Sequence, residues 1–237
     1  MMIIYYIICA VIGYLIGSIP FGYIIVKLVK GVDIRTVGSG NIGATNVARV
    51  LGWPLGIIVF LLDASKGAAA FFICGFVALH FHPVEYSLFP FIPLIGLAII
   101  GGFSSICGHL FPVWFWFKGG KGMATTFGFF VVFVPLPTMI SLCIWLIVVG
   151  ISRYISLSSI LASLGLLISL WGIYLIDIEQ LSGFGFALFI FNKSLILLGT
   201  HIIVLLIIIK HIPNIKRLLN GTEPKVRLGK KVATDGK

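Results

Sequence analysis

The sequence predicts an all-α, polytopic membrane protein with seven transmembrane helices, its N-terminus outside and its C-terminus cytoplasmic. Three observations carry that expectation. Of 237 residues, 59% are hydrophobic and 10% charged, with a mean hydropathy of +1.17, more apolar surface than a soluble core of this size can hide. The apolar residues fall into runs whose length suits a bilayer. The basic residues, which give a net charge of +10, gather at the ends of those runs, as the positive-inside rule requires.

The runs cover about residues 3–29, 53–80, 90–107, 124–134, 138–152, 156–176 and 194–212. The first lacks a basic leader and is too long for a signal peptide, so it is expected to remain as a membrane helix. The fourth is short against the ~20 residues of a full span, and 124–152 could instead form one helix. Parity separates the alternatives. Splitting at Pro135 and Pro137 puts Lys27, Lys30, Arg35, Arg49, Lys118, Lys121, Arg153 and every lysine and arginine from Lys210 onward on one face. Lys193 then lies opposite and Lys66 inside a span. Residues 1–212 thus read as one seven-helix domain with cytoplasmic loops at about 30–50 and 108–123, and 213–237 as a basic tail whose last dozen residues are disordered or held at anionic lipid.

Composition also excludes classes of function. The clustering of cations at span ends speaks of orientation and not of nucleic acid. Seven scattered acidic residues supply no carboxylate cluster for a metal. Cys9, Cys74, Cys107 and Cys143 lie unpaired in apolar stretches and read as small buried hydrophobes, with neither a disulfide framework nor a zinc site.

Against this oily background the run Gly38-Ser39-Gly40-Asn41-Ile42-Gly43-Ala44-Thr45-Asn46-Val47-Ala48-Arg49 is polar, glycine-rich and basic. Glycines let backbone N–H groups converge on an anion. Ser39, Asn41, Thr45 and Asn46 add short donors, and Arg49 a planar fork suited to phosphate. The letters Gly38-x-Gly40-x-x-Gly43 also fit a dinucleotide fingerprint, but no βαβ context surrounds them. A second run, from Gly108-His109-Leu110-Phe111-Pro112 to Phe117-Lys118-Gly119-Gly120-Lys121-Gly122-Met123-Ala124-Thr125, is not a Walker A loop, because no Ser or Thr follows Lys121. It still presents cations at a helix start. Lys118 reads equally as membrane anchor or ligand, whereas glycine-flanked Lys121 reads as ligand.

Asp63 and Lys66 are three residues apart in an apolar run and are expected to form a structural ion pair on one helix face. His211-x-x-Asn214-x-x-Arg217 lines a helical face, ahead of a stop at Gly221 and of Glu223, an acid placed to orient a lysine or arginine. After Arg153, Ser156 is expected to cap the next helix, while Ser158 and Ser159 are hydroxyl donors for a ligand.

Three of these segments together resemble the bacterial acyl-phosphate:glycerol-3-phosphate acyltransferases, the PlsY type. The segment 39–49 matches the first family motif, 108–125 the second with Met123 where valine is usual, and Asn214-Ile215-x-Arg217-Leu218-x-x-Gly221-x-Glu223-x-Lys225 the third. The resemblance spans essentially the whole chain. It implies transfer of a fatty acyl group from acyl phosphate to the 1-hydroxyl of sn-glycerol 3-phosphate, in the bacterial cytoplasmic membrane. It implies no cofactor, neither coenzyme A nor acyl carrier protein, and no partner beyond the two substrates and membrane lipid. Lys121, His211 and Asn214 become the catalytic candidates. The substrate-binding candidates are Ser39, Gly40, Asn41, Gly43, Thr45, Asn46 and Arg49, then His109, Gly119, Gly120 and Gly122, with Ser158, Ser159 and Arg217. A mixed anhydride is already activated, so the sequence is read for direct attack, with a substrate phosphate oxygen or His211 taking the proton. A small-anion transporter or a headgroup-binding scaffold is the rival class. Transport would favour internal repeats and broken mid-membrane helices, whereas here the polar motifs gather at one face.

The basic-residue bias makes the topology testable. In intact cells a cysteine probe introduced near Ser87 should be labelled from outside and one near Gly120 should be protected; the reverse pattern would invert the orientation.

Overall fold

A computed structural model of the chain describes residues 2–81, 91–175 and 193–226. Among these the regular elements are all helical. They are α1 (Met2–Ser18), α2 (Phe21–Lys30), α3 (Ala44–Leu51), α4 (Trp53–Phe81), α5 (Phe91–Leu110), α6 (Met123–Phe133), α7 (Pro135–Ser152), α8 (Ile155–Leu175) and α9 (Lys193–Leu219), with short 3₁₀ turns at Ile34–Thr36 and Val113–Phe115. Six helical stretches are long and apolar enough to cross a membrane, and α6, with 11 residues, is shorter than these. At 1.5 Å per residue α6 reaches only about 16 Å, roughly half a hydrocarbon core.

Several boundaries differ from the sequence reading for identifiable reasons. The first apolar run is broken at Ile19-Pro20, since proline supplies no N–H to continue the α1 ladder. The released carbonyls of Gly17 and Ile19 accept instead from Lys66 Nζ, at 3.1 and 2.9 Å. Residue 213 is no structural boundary: α9 continues through Pro213 to Leu219, so the composition shift there marks a change of surroundings along one helix. That helix ends at Gly221, whose φ of +69° is left-handed, with the Thr222 N–H returning to the Arg217 carbonyl at 2.8 Å. Of the cysteines, Cys9 and Cys74 are buried as expected, but Cys107 is half-buried and Cys143 exposed on the outer face of α7. The expected disorder of the last residues and the external loop around Ser87 lie outside the described residues.

Helices α6 and α7 form a hairpin about Val134. Lys121, just before α6, and Arg153, just after α7, both approach the C-terminal part of α9 and the segment after it: Lys121 Nζ donates to Asn214 Oδ1 in the helix, and the Arg153 carbonyl accepts from the Val226 N–H beyond it at 2.8 Å. Their start and finish therefore meet at one end of the bundle, with the turn at the other. Pro135, at the first position of α7, fits such a restart, where a missing N–H costs nothing. The core lies between α5, α6, α8 and α9, built from Ile106, Leu110, Phe129, Phe130, Leu166, Leu170, Ile196, Ile203 and Ile207. Phe129 stacks on Phe133 with ring centres 5.7 Å apart and meets Phe103 edge-on at 5.1 Å.

Small residues bring α6 against α4. A Cβ at Gly128 would lie 1.8 Å from the Ala64 carbonyl oxygen, and the neighbouring backbone cannot yield as a flexible side chain would. Gly128→Val should therefore separate α4 from α6 and lower folded yield and melting temperature in detergent, with overpacking worth at least about 1–3 kcal/mol. A wild-type melting curve would refute this account of the contact.

Candidate active site

The helix ends that carry the polar motifs surround one cavity of about 570 Å³. The first loop is held in shape mainly by Asn46. Its amide Nδ2 donates to the carbonyls of Ile34, Val37 and Asn41 at 3.3, 3.0 and 2.9 Å, while its Oδ1 accepts the Ser39 N–H at 2.7 Å. Asn46 is thus a buried scaffold, with its amide spent on the loop and not offered to a ligand. Gly38 sits directly beneath it: its φ is +62°, and a Cβ there would lie 2.2 Å from Asn46 Oδ1. Asn41 Oδ1 accepts the Gly43 N–H at 2.8 Å, turning the chain into α3. Gly43 caps that helix without any side-chain acceptor, so the helix start faces the cavity with donors available to an anion.

Ser39, Gly40, Asn41, Gly43, Thr45 and Arg49 line the cavity. Neither the Ser39 and Thr45 hydroxyls nor the Arg49 guanidinium hydrogen-bonds to another described residue. Burial pulls the Arg49 guanidinium below its usual value, opposed by the nearby Glu223 carboxylate. Behind the loop, Asp33 grips Arg35 at 2.6 Å, and the Arg35 guanidinium lies 4.5 Å from the Phe115 ring centre, tying the first loop to the second.

The second loop folds back over the end of α5. The N–H groups of Gly119 and Gly120 donate to the carbonyls of Leu110 and His109, at 3.2 and 3.0 Å, and Lys210 Nζ reaches the same Leu110 carbonyl at 2.8 Å. Gly119 and Gly120 are absent from the cavity wall; their amides hold the loop, and close packing against His109 leaves no room for a side chain. Exposed Lys118 also lies off the wall, whereas Lys121 and Gly122 are on it.

His109 faces the cavity on one side and Lys66 on the other, with Lys66 Nζ 3.0 Å from its Nδ1. A lysine ammonium only donates, so Nδ1 accepts and the imidazole proton sits on Nε2. Lys66 lies 2.8 Å from Asp63 Oδ1, and both side chains are 3% exposed. No donor meets that oxygen with hydrogen-bond geometry, so the pair is held by charge.

The third segment completes the polar end through Glu223. Its Oε1 accepts from Asn214 Nδ2 at 2.7 Å and from Ser156 Oγ at 2.8 Å, and its Oε2 from Arg217 Nε at 2.7 Å. Asn214, so oriented, presents Oδ1 to the Lys121 ammonium. Burial raises the Glu223 carboxyl, but these donors and the Arg217 charge outweigh it and hold the group below its ordinary value. Burial, with the Arg217 and Arg49 cations, lowers Lys121 to about 8 in spite of Glu223. His211 is buried, and its Nδ1 lies 2.8 Å from the Ile207 carbonyl. A carbonyl can only accept, so Nδ1 carries the proton and Nε2 keeps a lone pair.

Ser156 and Ser158 depart from their expected roles, whereas Ser159 lies on the cavity wall. Ser156 is no helix cap but a donor to Glu223 across the bundle, because it sits one residue inside α8. Ser158 donates to the Tyr154 carbonyl at 2.8 Å and lies off the cavity wall, whereas Ser159 is on the wall and accepts from Trp145 Nε1 at 3.3 Å. Sequence reasoning had Glu223 as an orienting acid but not as a part of the site. The apolar half, formed by Trp53, Phe60, Phe127, Phe130, Leu142 and Leu166, carried no motif at all, since such residues look the same as lipid-facing ones in a membrane chain.

The family model described as glycerol-3-phosphate acyltransferase matches residues 7–221. Curated relatives called glycerol-3-phosphate acyltransferase include one from Chlorobaculum tepidum, 41% identical over 93% of this chain and 96% of its own length. Another, from Chlorobium phaeobacteroides, is 40% identical over 92% and 95%. Two crystal structures of PlsY, an integral membrane glycerol 3-phosphate acyltransferase, are similar in fold. The glycerol 3-phosphate form has a TM-score of 0.72 at 35% identity, covering 94% of this chain and 96% of that one. The lysophosphatidic acid form has a TM-score of 0.69 at 34% identity, covering 93% and 94%. With its three motifs gathered around one cavity, this chain belongs to the PlsY-type glycerol-3-phosphate acyltransferase family.

Proposed function

We propose that the chain transfers a fatty acyl group from acyl phosphate to the 1-hydroxyl of sn-glycerol 3-phosphate, releasing phosphate and 1-acyl-sn-glycerol 3-phosphate. The observation that carries this reading is the polarity of the cavity: cations and helix-start donors at one end, aromatic and aliphatic side chains at the other. That division suits two phosphorylated molecules, one with a long tail. The related crystal structures in glycerol 3-phosphate and lysophosphatidic acid forms support the acceptor and the product.

In this reading Arg49, Lys121 and the start of α3 neutralise the phosphates and hold the hydroxyl against the acyl carbon. The hydroxyl oxygen attacks the carbonyl carbon, the carbon–oxygen bond to phosphorus breaks, and phosphate leaves with the electron pair. The hydroxyl proton passes to a phosphate oxygen or to His211 Nε2. Asn214 steers Lys121, and Arg217 and Ser156 keep Glu223 placed to steer Asn214. Ser39, Gly40, Asn41, Gly43, Thr45 and Gly122 contribute as cavity-wall donors or by letting backbone approach, with Ser159 deeper in. Asn46 and His109 brace the loops from the cavity wall, and Gly119, Gly120 and Ser158 serve the site from behind. No metal or other cofactor enters this scheme.

The same reading places the site at the cytoplasmic face of the bacterial cytoplasmic membrane, with seven passes of which α6 is a short one. Support comes from the meeting of Lys121, Arg153 and Val226 at one end of the bundle and from the basic residues there.

Purified protein should release phosphate from palmitoyl phosphate only when glycerol 3-phosphate is present, and should retain that activity in EDTA. Acylation from palmitoyl coenzyme A with no use of palmitoyl phosphate would overturn the donor assignment. Arg49→Ala and Lys121→Ala should each lower kcat/KM by about 10² or more, as expected for a lost charge-assisted contact to phosphate, and Arg49→Lys should rescue only in part.

Lys121 is charged below its lowered value, so kcat/KM should fall as pH rises through about 8. Lys121→Arg should move that limb beyond the measurable range. An acidic limb near pH ~6, from the second ionisation of a substrate phosphate, should survive in His211→Ala. Its disappearance would identify His211 as the titrating base.

A further inference from the structure

Most buried or half-buried hydroxyls in this bundle turn back onto a carbonyl three or four residues earlier; the exceptions include Ser156, which donates to Glu223, and Ser159, which accepts from Trp145. Ser18, Thr138, Ser158 and Thr200 donate to the carbonyl four residues earlier, and Ser163 and Ser169 to the one three residues earlier, all between 2.7 and 2.9 Å. This is the ordinary solution for a hydroxyl in an apolar helix. Thr125 and Thr126 differ from all of these, for both have an Oγ1 that is buried without any hydrogen-bond partner. Thr125 faces away from the cavity, but Thr126, 5% exposed, is on its wall.

The position of Thr126 along α6 gives that orphan a meaning. The cavity-lining residues of this helix are Met123, Ala124, Thr126, Phe127 and Phe130, following Lys121 and Gly122. One helix face thus runs from a cation, past an N-terminus that Gly122 caps without a side chain, to a hydroxyl and then to two aromatic rings. Thr126 lies four residues, or about 6 Å along the axis, beyond Gly122, where phosphate-binding surface gives way to tail-binding surface. In an acyl phosphate the group at that junction is the carbonyl.

Resting on the proposed acyl-phosphate reaction, we infer that Thr126 is a further catalytic residue, whose Oγ–H donates to the acyl carbonyl oxygen as attack converts it to an oxyanion. The hydroxyl keeps its proton throughout. The bond made is from the glycerol oxygen to the carbonyl carbon, the bond broken joins that carbon to the phosphate oxygen, and the transferred proton goes where the reaction already sends it. The first-turn N–H groups of α6 reinforce the donor, as helix starts do for developing negative charge.

The test uses full-length protein and a non-hydrolysable 2-oxoalkylphosphonate with a ¹³C-labelled ketone, a methylene standing for the bridging oxygen. Infrared difference spectra should show the bound carbonyl stretch lowered in the wild type and in Thr126→Ser, and restored towards its free frequency in Thr126→Val, with the probe still bound. With palmitoyl phosphate, Thr126→Val should lower kcat about ten- to a hundredfold and leave KM for glycerol 3-phosphate unchanged. If valine prevents folding, Thr126→Ala removes the hydroxyl without adding a methyl in its place. Wild-type turnover and an unaltered carbonyl frequency in either hydroxyl-free variant would overturn the inference. A wild type that cannot use palmitoyl phosphate would instead strike the donor assignment. The spectra would then be taken with carbonyl-labelled lysophosphatidic acid, where an identical band in wild type and Thr126→Val still counts against Thr126.

Discussion

Glu223 is the constraint on which the site depends. One carboxylate, 6% exposed, accepts from Ser156 on α8 and from Asn214 and Arg217 on α9, and through Asn214 fixes Lys121 ahead of α6. Three donors from two helices meet on its two oxygens. A buried carboxylate is stable only when its lone pairs are filled, so the requirement that satisfies Glu223 also sets the geometry of its donors. Without it, Lys121, Arg49 and Arg217 would be a knot of like charges with nothing to hold them apart from lipid.

A second constraint works at the opposite side of the cavity wall. The α1–α2 break at Pro20 leaves carbonyls inside the membrane that need a donor, and Lys66 supplies it. That lysine carries a charge needing Asp63, and the pair adjoins His109 at the end of α5. Each polar group is present because another would be costly alone. The chain of compensation runs from the entry of the protein to the second loop, whose Gly120 closes over His109.

Much of this was legible in the sequence because the informative residues are polar in an apolar chain. The glycine loops, Arg49, Lys121, His211 and Asn214 stood out for that reason, and the four side chains line one cavity with Gly40, Gly43 and Gly122, while Gly119 and Gly120 lie off its wall. The Asp63–Lys66 spacing foretold an ion pair because i,i+3 residues share a helix face. What escaped was the division of labour. Asn46 and Ser39 look equally like ligands as letters, but only three-dimensional hydrogen bonding reveals that Asn46 has no donor left. Ser156 and Ser158 differ by two positions, which on a helix points them to different neighbours. The α1–α2 break was hidden because one apolar run can house two helices, and Pro20 was its only mark. Thr126 could not be singled out at all, since an unanswered hydroxyl is a property of surroundings.

The dependence on Glu223 has a consequence for the order in which the protein is made. A ribosome releases the Arg49 loop long before the acid that completes the site, which follows α9 in the chain. Until α9 arrives, Lys121 and Arg49 lack the Glu223 carboxylate, and the polar end of the cavity lacks the wall that Lys210, His211, Asn214 and Arg217 supply. Domains generally fold as units, and a nascent chain that has not reached residue 223 carries most of the motif letters without the carboxylate that joins α8 to α9. The last donor–acceptor set of the site thus closes only when Glu223 follows α9 into place.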